Sequence, residues 1–487
     1  MFDASCTRLD FFMDMNAEKV LEIFKKITTI PRESGHEGPM TAFLQQWAGE
    51  HGLECKTDSI GNVLITREAS SGFENVPAIV LQGHQDMVCE KKAGCKHNFA
   101  KDPIKYVIED GWMIAPETTL GADDGIGIAA CLALLETERP MGKVECLFTI
   151  SEETGMDGAE ALEEGFFTGR TLINLDSEDE GQLFIGCAGG VNTEIRYDCK
   201  TSPVPASKTV VKLTIGGAQG GHSGDDINKE RVNAVQQMAR FLYTRMGDIL
   251  VISLVGGNKP NAIARDCEAV VATGDADALM VDFMRFGETL AAEYSVTDPE
   301  VYTEAELSQA DSGAVSAVCT RKLVSALFAC PHGVQAMSQD IPGLVETSTN
   351  LASVKMAGEG RFVIRTSQRS STMSERSMIA DKVAATFELI GAEVEHLLPY
   401  PGWKPNVDSH ILGVCVESYR RLFSQEPEVK AIHAGLECGL FLDKFPGLDM
   451  ISFGPTLRGV HAPGEKMELA SLDKFVKLLE DVVCNFK

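Results

Sequence analysis

Several histidine and carboxylate side chains in this sequence have the types and spacing of metal ligands. The segment LQGHQDMV places a histidine and an aspartate two positions apart, directly after an apolar run. The complete set is His84 and Asp86, Asp123 and Asp124 in TTLGADDGIG, Glu152 and Glu153 after ECLFTIS, Asp176 after LINL, and His461 after MISFGPTLRGV. Imidazole nitrogen and carboxylate oxygen are ligands suited to Zn²⁺, Mn²⁺ or Co²⁺. The set is large enough for two ions if one carboxylate bridges them.

These residues follow strand or turn patterns of an α/β domain. The runs PAIVLQ, VECLFTI and TLINL are short and apolar and alternate with longer helical patterns, which is typical of βαβ units and a mainly parallel sheet. The apolar segment GIGIAACLALLE predicts a buried helix. Loops at the carboxyl ends of strands in such a sheet converge on one crevice, so we expect the candidate residues to be neighbours.

Each acidic pair taken alone has a simpler explanation. Asp123 and Asp124 could cap a helix and interact with its positive end. Glu152 and Glu153 could form a solvated turn. The segment SGHE also matches a capping box from Ser34 to Glu37, which predicts the start of the helix through MTAFLQQWAGEHG.

The sequence pattern divides the chain into an α/β domain and an insertion. After CAGGVNTEIRYDC, alternating strands such as KTVVKLTIGG and the helix RVNAVQQMARFLYTRM predict an inserted α+β domain. Strand candidates VKAIHAG and LDMISFG then resume the first pattern. We therefore predict an α/β domain with a mainly parallel sheet, formed by residues 1–187 and 399–487, and an inserted α+β domain at 188–398.

The composition excludes several kinds of partner and site. A formal net charge of −27 disfavours binding to nucleic acid or to anionic membranes. The N-terminal segment lacks the pattern of a targeting signal, and no apolar run is long enough for a spanning helix, so we expect a cytoplasmic protein. The 14 cysteines have no regular spacing and predict reduced thiols. Cys89, Cys95 and His97 form only a weak candidate for a zinc site.

Eight motifs occur in the order found in one enzyme family. They are GHQDMV, LGADDGIGIA, SEETGMDGAE, LDSEDEG, GGHSGDD, NAIAR, HAGLECGLF and GPTLRGVHAPGE. The chain resembles, over nearly its whole length, the aminoacyl-histidine dipeptidases, also called Xaa-His dipeptidases or bacterial carnosinases. These enzymes belong to the di-zinc aminoacylase and carboxypeptidase superfamily.

The resemblance implies a site with two Zn²⁺ ions per subunit, for which Mn²⁺ or Co²⁺ could substitute. It assigns His84 and Asp176 to one ion, Glu153 and His461 to the other, and Asp123 to both. Asp86 would orient His84, and Glu152 would be the general base that activates the water shared by the ions. The resemblance also implies a cis peptide bond between Asp123 and Asp124.

The resemblance implies that the α/β domain is the catalytic domain and that the α+β insertion is a lid domain. It also implies roles for residues of the insertion and of one segment after it. His222 resembles the lid histidine that stabilises the oxyanion. Asn261 and Arg365 are candidates for binding the terminal carboxylate of the substrate, and Glu437 could receive its amino group. Core or surface pairing explains these last three residues about as well. A lid of this length leaves a homodimer through the lid domain as an open alternative to a monomer.

The function expected from these patterns is that of a cytoplasmic di-zinc dipeptidase acting on unblocked dipeptides, with Xaa-His substrates including carnosine favoured. A broader dipeptidase, a tripeptidase or an N-acyl-amino-acid deacylase would use the same metal site. A non-catalytic binding protein is disfavoured, because binding alone does not require both Asp86 and Glu152.

Overall fold

The computed structural model describes residues 15–487. Most of the segment from which we predicted the absence of a targeting signal, residues 1–14, lies outside this range. Within the described range no helix is both long enough and apolar enough to cross a membrane. The thirteen cysteines of this range are free thiols, as expected.

Helices and strands are numbered in chain order. The α-helices are α1 Ala17–Ile27, α2 Gly38–Glu50, α3 Ala122–Glu136, α4 Glu152–Gly155, α5 Asp157–Ala161, α6 Ala234–Arg245, α7 Ala276–Glu293, α8 Ala317–Ala329, α9 Met373–Glu388, α10 His410–Phe423, α11 Glu437–Lys444 and α12 Leu469–Asn485. The strands are β1 Glu54–Thr57, β2 Val63–Arg67, β3 Ile79–His84, β4 Val107–Glu109, β5 Trp112–Ile114, β6 Val144–Thr149, β7 Thr171–Asn174, β8 Gln182–Cys187, β9 Gly189–Asp198, β10 Thr201–Ser202, β11 Thr209–Gly216, β12 Ile249–Gly256, β13 Cys267–Thr273, β14 Tyr302–Leu307, β15 Ala314–Val315, β16 Gly333–Met337, β17 Val345–Met356, β18 Arg361–Ser370, β19 Glu393–Tyr400, β20 Glu428–Ile432, β21 Asp449–Ser452, β22 Leu457–Arg458 and β23 Lys466–Glu468.

The chain forms two compact units. Of the described residues, the first unit contains 15–186, 406–430 and 440–487, and the second contains 187–405 and 431–439. The segment 431–439 therefore groups with the second unit, although it follows the inserted region in sequence.

The main sheet of the first unit has the strand order β1-β2-β6-β3-β7-β21-β8-β20. Its central strands β6, β3, β7 and β21 run parallel, whereas β1, β2 and β8 pair antiparallel with their neighbours. Both β3 and β6 are buried along their whole length, which explains their continuous apolar sequences. The helix α3, buried nearly all round as predicted, packs against β3 and α1. The carboxyl ends of the parallel strands consequently lie at one edge of the sheet.

The second unit is built on an antiparallel sheet. Its order is β14-β11-β13-β12-β17-β18-β9-β19, and β16 pairs with β17 outside this path. The helices α6 to α9 pack against these strands and bury an apolar core that includes Phe283, Phe362 and Phe387. This arrangement confirms the predicted fold class, an α/β domain with an α+β lid domain.

Gly83, the residue before the last one of β3, lies close to the start of α3. A Cβ atom at Gly83 would overlap the carboxylate of Asp124, whereas a Cβ atom at Gly49 in α2 would meet no atom within 4 Å. We expect Gly83→Ala to lower the free energy of unfolding by about 1–3 kcal/mol, as overpacking does. Gly49→Ala should change it by less than about 1 kcal/mol, in the stabilising direction. Denaturant unfolding of both variants measures the difference, and equal stabilities would show that Asp124 moves aside freely.

Candidate metal centre and polar cluster

The end of β3 carries a histidine that is oriented by a carboxylate. His84 is the last residue of β3 and is fully buried, and its Nδ1 atom lies 3.3 Å from Asp86 Oδ1. The Asp86 carboxylate also accepts hydrogen bonds from the backbone N–H groups of Glu152 (3.1 Å) and Glu153 (3.2 Å) and from Ser34 Oγ (2.7 Å). Burial alone would raise the pKa of Asp86, but the bonds with His84 and Ser34 lower it to about 2. An ionised Asp86 therefore holds both His84 and the turn that bears the two glutamates.

The turn before α3 places one carboxylate between two histidines. Gly121, which precedes α3, has a left-handed backbone with φ of 69°, and the peptide bond between Asp123 and Asp124 is cis, as the resemblance implies. Asp123 Oδ1 lies 3.0 Å from His84 Nε2, and Asp123 Oδ2 lies 3.2 Å from His461 Nε2. The two oxygens of this single carboxylate thus face different imidazoles.

The remaining candidates complete two adjoining groups. His84 Nε2 lies 3.5 Å from Asp176 Oδ1, and His461 Nε2 lies 2.9 Å from Glu153 Oε2. Among the described residues, three sets have ligand atoms that all lie within 4.8 Å of one another. They are His84–Asp123–Asp176, Asp123–Glu153–His461 and His84–Glu152–Glu153. None of these sets includes Cys89, Cys95 or His97.

The spacing of these atoms is that of ligands on a common ion. Ligand atoms about 2.0–2.1 Å from a tetrahedral Zn²⁺ ion are separated by roughly 3.3 Å. The four distances that join the histidine Nε2 atoms to Asp123, Asp176 and Glu153 range from 2.9 to 3.5 Å. In addition, Glu153 Oε1 is buried and has no hydrogen-bond partner. The donor set therefore fits two divalent cations that share Asp123.

The electrostatics of the cluster also favour cations. Burial, together with the carboxylates of Glu153 and Asp123, raises the pKa of Glu152 to about 7. Hydrogen bonds with Asp123 and Glu153 raise the pKa of His461 to about 11. Burial by itself would lower the pKa of His84, but nearby carboxylates, that of Asp176 foremost, raise it well above its ordinary value. These shifts reflect an excess of negative charge that divalent cations would neutralise.

The capping box expected at Ser34 is wrong. The helix α2 begins at Gly38, and its N-cap residue Glu37 makes no side-chain capping bond. Ser34 Oγ is instead bound to Asp86, and Glu37 Oε1 accepts hydrogen bonds from the N–H and Oγ of Ser151 at 3.1 Å each. Both side chains support the turns of the metal centre, a role that their local sequence pattern did not indicate.

The predicted residues His222 and Asn261 lie close together in the second unit. His222 forms an isolated backbone bridge with Ala262, and the N–H of Ser223 donates to the carbonyl oxygen of Asn261 at 2.9 Å. His222 Nδ1 accepts hydrogen bonds from the N–H groups of Gly224 and Asp225 at 3.3 Å each. The same Nδ1 atom lies 3.3 Å from Asp225 Oδ2.

The side chains of Arg365 and Glu437 have different surroundings. Arg365 is about half exposed, and its Nε and Nη2 atoms donate to Glu194 Oε2 at 3.0 and 2.8 Å. Its guanidinium group is thus already paired within the sheet. Glu437 is the first residue of α11 and is buried.

A second arginine on β18, Arg369, was not among the site residues expected from the sequence. Arg369 is only 8% exposed, donates to Tyr400 Oη at 3.3 Å, and has an Nε atom without a hydrogen-bond partner. The available signal was its position in TSQRSS, a run of small polar residues in which the alternation of β18 between buried and exposed positions stops. A buried arginine with a free donor is typical of a site that receives an anion.

Arg369 belongs to a cluster of buried polar groups. His433 Nε2 lies 2.7 Å from Ser348 Oγ, and burial and the charge of Arg369 lower the pKa of His433 to about 3. The pKa of Asp225 is also lowered, mainly by its hydrogen bond with His222 and also by Arg369. Buried side-chain atoms without a hydrogen-bond partner here include Ser223 Oγ, Asn350 Oδ1, Arg369 Nε and His433 Nδ1. Such groups could bind the polar ends of a small molecule.

The chain is similar to known proteins in both sequence and fold. The chain is 36% identical over 474 residues to the cytosol non-specific dipeptidase of Escherichia coli (strain K12), and the match covers 96% of this chain and 98% of that relative. Its structure is similar to the crystal structure of aminoacylhistidine dipeptidase from Vibrio alginolyticus, with a TM-score of 0.91 and 37% identity over 96% of both chains. A likeness in fold alone extends to aminopeptidase PepT from Bacillus cereus, with a TM-score of 0.57 and 16% identity over 96% of this chain and 98% of that one.

These comparisons confirm the family resemblance that the eight motifs indicated. The model of the family described as Peptidase family M20/M25/M40 matches residues 80–485, which include every candidate residue of the metal centre and of the polar cluster. The chain belongs to peptidase family M20/M25/M40.

Proposed function

We propose that this chain is a di-metal dipeptidase that hydrolyses unblocked dipeptides and favours Xaa-His substrates, including carnosine. The observation that carries the proposal is the position of Asp123, which belongs to two adjoining candidate metal groups and faces a histidine in each. The substrate class is supported by two similar proteins, one named cytosol non-specific dipeptidase and the other aminoacylhistidine dipeptidase.

The proposed ligands of one ion are His84 and Asp176 and those of the other are Glu153 and His461, with Asp123 shared. When bound, two divalent cations polarise a peptide carbonyl group and lower the pKa of a water molecule. We propose Zn²⁺, with Mn²⁺ or Co²⁺ as substitutes, because the donors are imidazole nitrogens and carboxylate oxygens.

Glu152 is the proposed general base. Its carboxylate lies within 4.8 Å of ligand atoms of both His84 and Glu153, which is close enough to reach a water molecule at the metal centre. It would accept the proton of the attacking water and pass it to the amine that leaves the cleaved peptide. Asp86 fixes the backbone N–H of Glu152 and so limits the positions that this carboxylate can reach.

The second unit supplies the proposed recognition residues. For the terminal carboxylate of the substrate we propose Arg369, because the guanidinium group of the originally expected Arg365 is bound by Glu194. His222 is proposed to stabilise the oxyanion. Contributions of Asn261 to carboxylate binding and of Glu437 to amino-group binding stay proposals from the resemblance.

A cytoplasmic location is proposed as well, supported by the name of the E. coli relative. A homodimer formed through the lid domain stays a prediction.

A substrate panel tests the proposed function. We expect the purified protein to hydrolyse β-alanyl-histidine and alanyl-leucine faster than a tripeptide or an acetylated amino acid. Because the activity requires bound metal, a chelator should abolish it, and Zn²⁺ or Mn²⁺ should restore it. Amino-acid release with and without chelator measures both properties. Preference for the tripeptide or for the acetylated substrate would replace the proposed substrate class, and activity in metal-free protein would refute the metal centre.

The role of Glu152 predicts a loss of turnover without a loss of metal. Glu152→Gln should lower kcat about 10²-fold to 10⁴-fold, since proton transfer contributes this much to catalysis. Its metal content should stay at two ions per chain, as measured by elemental analysis. The exposed Glu160 in α5 provides a control, and Glu160→Gln should leave both quantities unchanged. Loss of an ion from Glu152→Gln would identify Glu152 as a ligand.

The two arginines of β18 are predicted to differ in their effect on substrate binding. Arg369→Lys should lower kcat/KM for dipeptides by roughly 10-fold to 100-fold, since a hydrogen bond to a charged group contributes about 1.5–3 kcal/mol. Arg365→Lys is the matched control and should change it less than about threefold, because exposed ion pairs contribute little. A dipeptide amide, which lacks the carboxylate, should be cleaved equally by the wild type and Arg369→Lys. If Arg365→Lys shows the larger loss of kcat/KM, Arg365 and not Arg369 binds the terminal carboxylate of the substrate.

A further inference from the structure

The turn before Asp123 is held by a carboxylate that the metal centre does not use. The backbone N–H groups of Leu120 and Gly121 donate to Glu465 Oε2 at 2.7 and 3.0 Å, and the N–H of Ala122 donates to Glu465 Oε1 at 2.8 Å. Glu465 is 2% exposed, so these three donors replace its hydration. Each of the three residues before Asp123 is therefore fixed through its N–H group.

A buried arginine holds the same turn through its carbonyl group. Arg32, which is 2% exposed, donates from Nη2 to the carbonyl oxygen of Gly121. Its Nη1 donates to the carbonyl oxygens of Asp86 at 2.6 Å and Gln85 at 3.2 Å. One planar guanidinium group thus joins the turn before Asp123 to the residues that directly follow His84.

The guanidinium group of Arg32 packs directly against two glycines. A Cβ atom at Gly121 would lie 2.5 Å from Arg32 Nη2, and one at Gly125 would lie 2.6 Å from it. The glycines on either side of the acidic pair in GADDG are therefore required for the approach of Arg32. Burial lowers the pKa of Arg32, and the charges of the Asp86, Glu465 and Asp124 carboxylates act against that shift.

The two side chains connect three candidate ligands. Arg32 links Asp123 to His84, and Glu465, which stands four residues after His461, links Asp123 to that histidine. The backbone of Glu465 is also fixed, because its N–H donates to the carbonyl oxygen of Ala462 and its carbonyl oxygen accepts from the N–H of Ala115. Both connections end at the residue that the two candidate metal groups share.

We propose that Arg32 and Glu465 are positioning residues that clamp the turn at residues 120–122 and so set Asp123 at the distances from His84 and His461 that two metal ions require. The proposal rests on the proposed di-metal function. Neither residue contacts substrate or metal in this role. They act through hydrogen bonds to backbone groups, so their replacement alters metal binding before it alters substrate recognition.

The test is a metal titration of the full-length protein with a matched control. Glu465→Gln exchanges one accepting oxygen for an NH₂ group. This group cannot accept hydrogen bonds from the backbone N–H groups of the turn. We expect its affinity for at least one Zn²⁺ ion, measured by competition with a chromophoric chelator, to fall about 10-fold to 100-fold. The visible absorption of the Co²⁺-loaded variant should change as well. Glu465→Asp, which keeps the charge, should fall between Glu465→Gln and the wild type.

Glu145 offers a control of the same chemistry away from the ligands. It is 2% exposed in the same unit and accepts hydrogen bonds from the N–H groups of Thr168 and Gly169 and from Thr168 Oγ1. Glu145→Gln should lower the thermal unfolding temperature of the metal-free protein without changing Zn²⁺ affinity or the Co²⁺ spectrum. A purely structural role for Glu465 predicts the same result for Glu465→Gln, and that outcome would overturn the proposal.

Arg32→Lys provides an independent variant if Glu465→Gln does not fold. A lysine keeps the charge but lacks the fork that binds two turns, so we expect a similar loss of metal affinity. Wild-type affinity in this variant would refute the clamp. If the wild-type protein itself binds no divalent cation, the proposed di-metal function is wrong. If the wild type binds two ions and the variants bind them equally well, only the positioning role of Arg32 and Glu465 is wrong.

Discussion

The sharing of one carboxylate between two imidazoles is the constraint on which the first unit depends. Asp123 lies within 3.2 Å of both His84 and His461, although these histidines are separated by more than 370 positions in the sequence. His84 ends the buried central strand β3, and His461 lies between β22 and β23, which follow the parallel strand β21. Only a sheet with parallel central strands brings such loops to one edge, where the start of α3 meets both of them. The topology of the sheet is thus the condition for a shared ligand.

Much of the metal centre could be predicted from the sequence because its residues follow directly from strand ends and from motif order. His84, Glu153 and Asp176 each come within a few positions of a buried strand, so a single topological rule places them together. Ser34, Arg32 and Glu465 could not be found in this way. They bind backbone N–H and carbonyl groups of distant turns, and a sequence does not show which backbone groups a fold leaves without partners. The local pattern at Ser34 even favoured a helix cap, whereas the tertiary contact with Asp86 determines its position.

The sequence also does not show which of the two arginines of β18 could bind a substrate. Arg365 lies directly opposite Glu194 in the antiparallel pairing with β9, so the strand register provides it with a carboxylate partner. Arg369 lies opposite Gly190, a position without a side chain, next to the ring of Tyr400. The register between β9 and β18, which joins segments about 170 residues apart, decides which arginine is free to bind an anion. Sequence spacing within β18 alone does not contain this information.

The two units meet different physical demands. Ligands of a metal pair tolerate displacements of only about 0.5 Å. In the first unit, buried strands and polar side chains that bind the backbone at residues 85–86, 120–122 and 152–153 would meet this demand for the proposed pair. The second unit keeps buried side-chain atoms without hydrogen-bond partners, among them Arg369 Nε and His433 Nδ1, and the proposed recognition of a dipeptide would use them. Metal affinity should therefore respond to substitutions in the first unit that leave recognition intact. On the proposed assignment, substrate preference should respond to substitutions in the second unit that leave the metals bound.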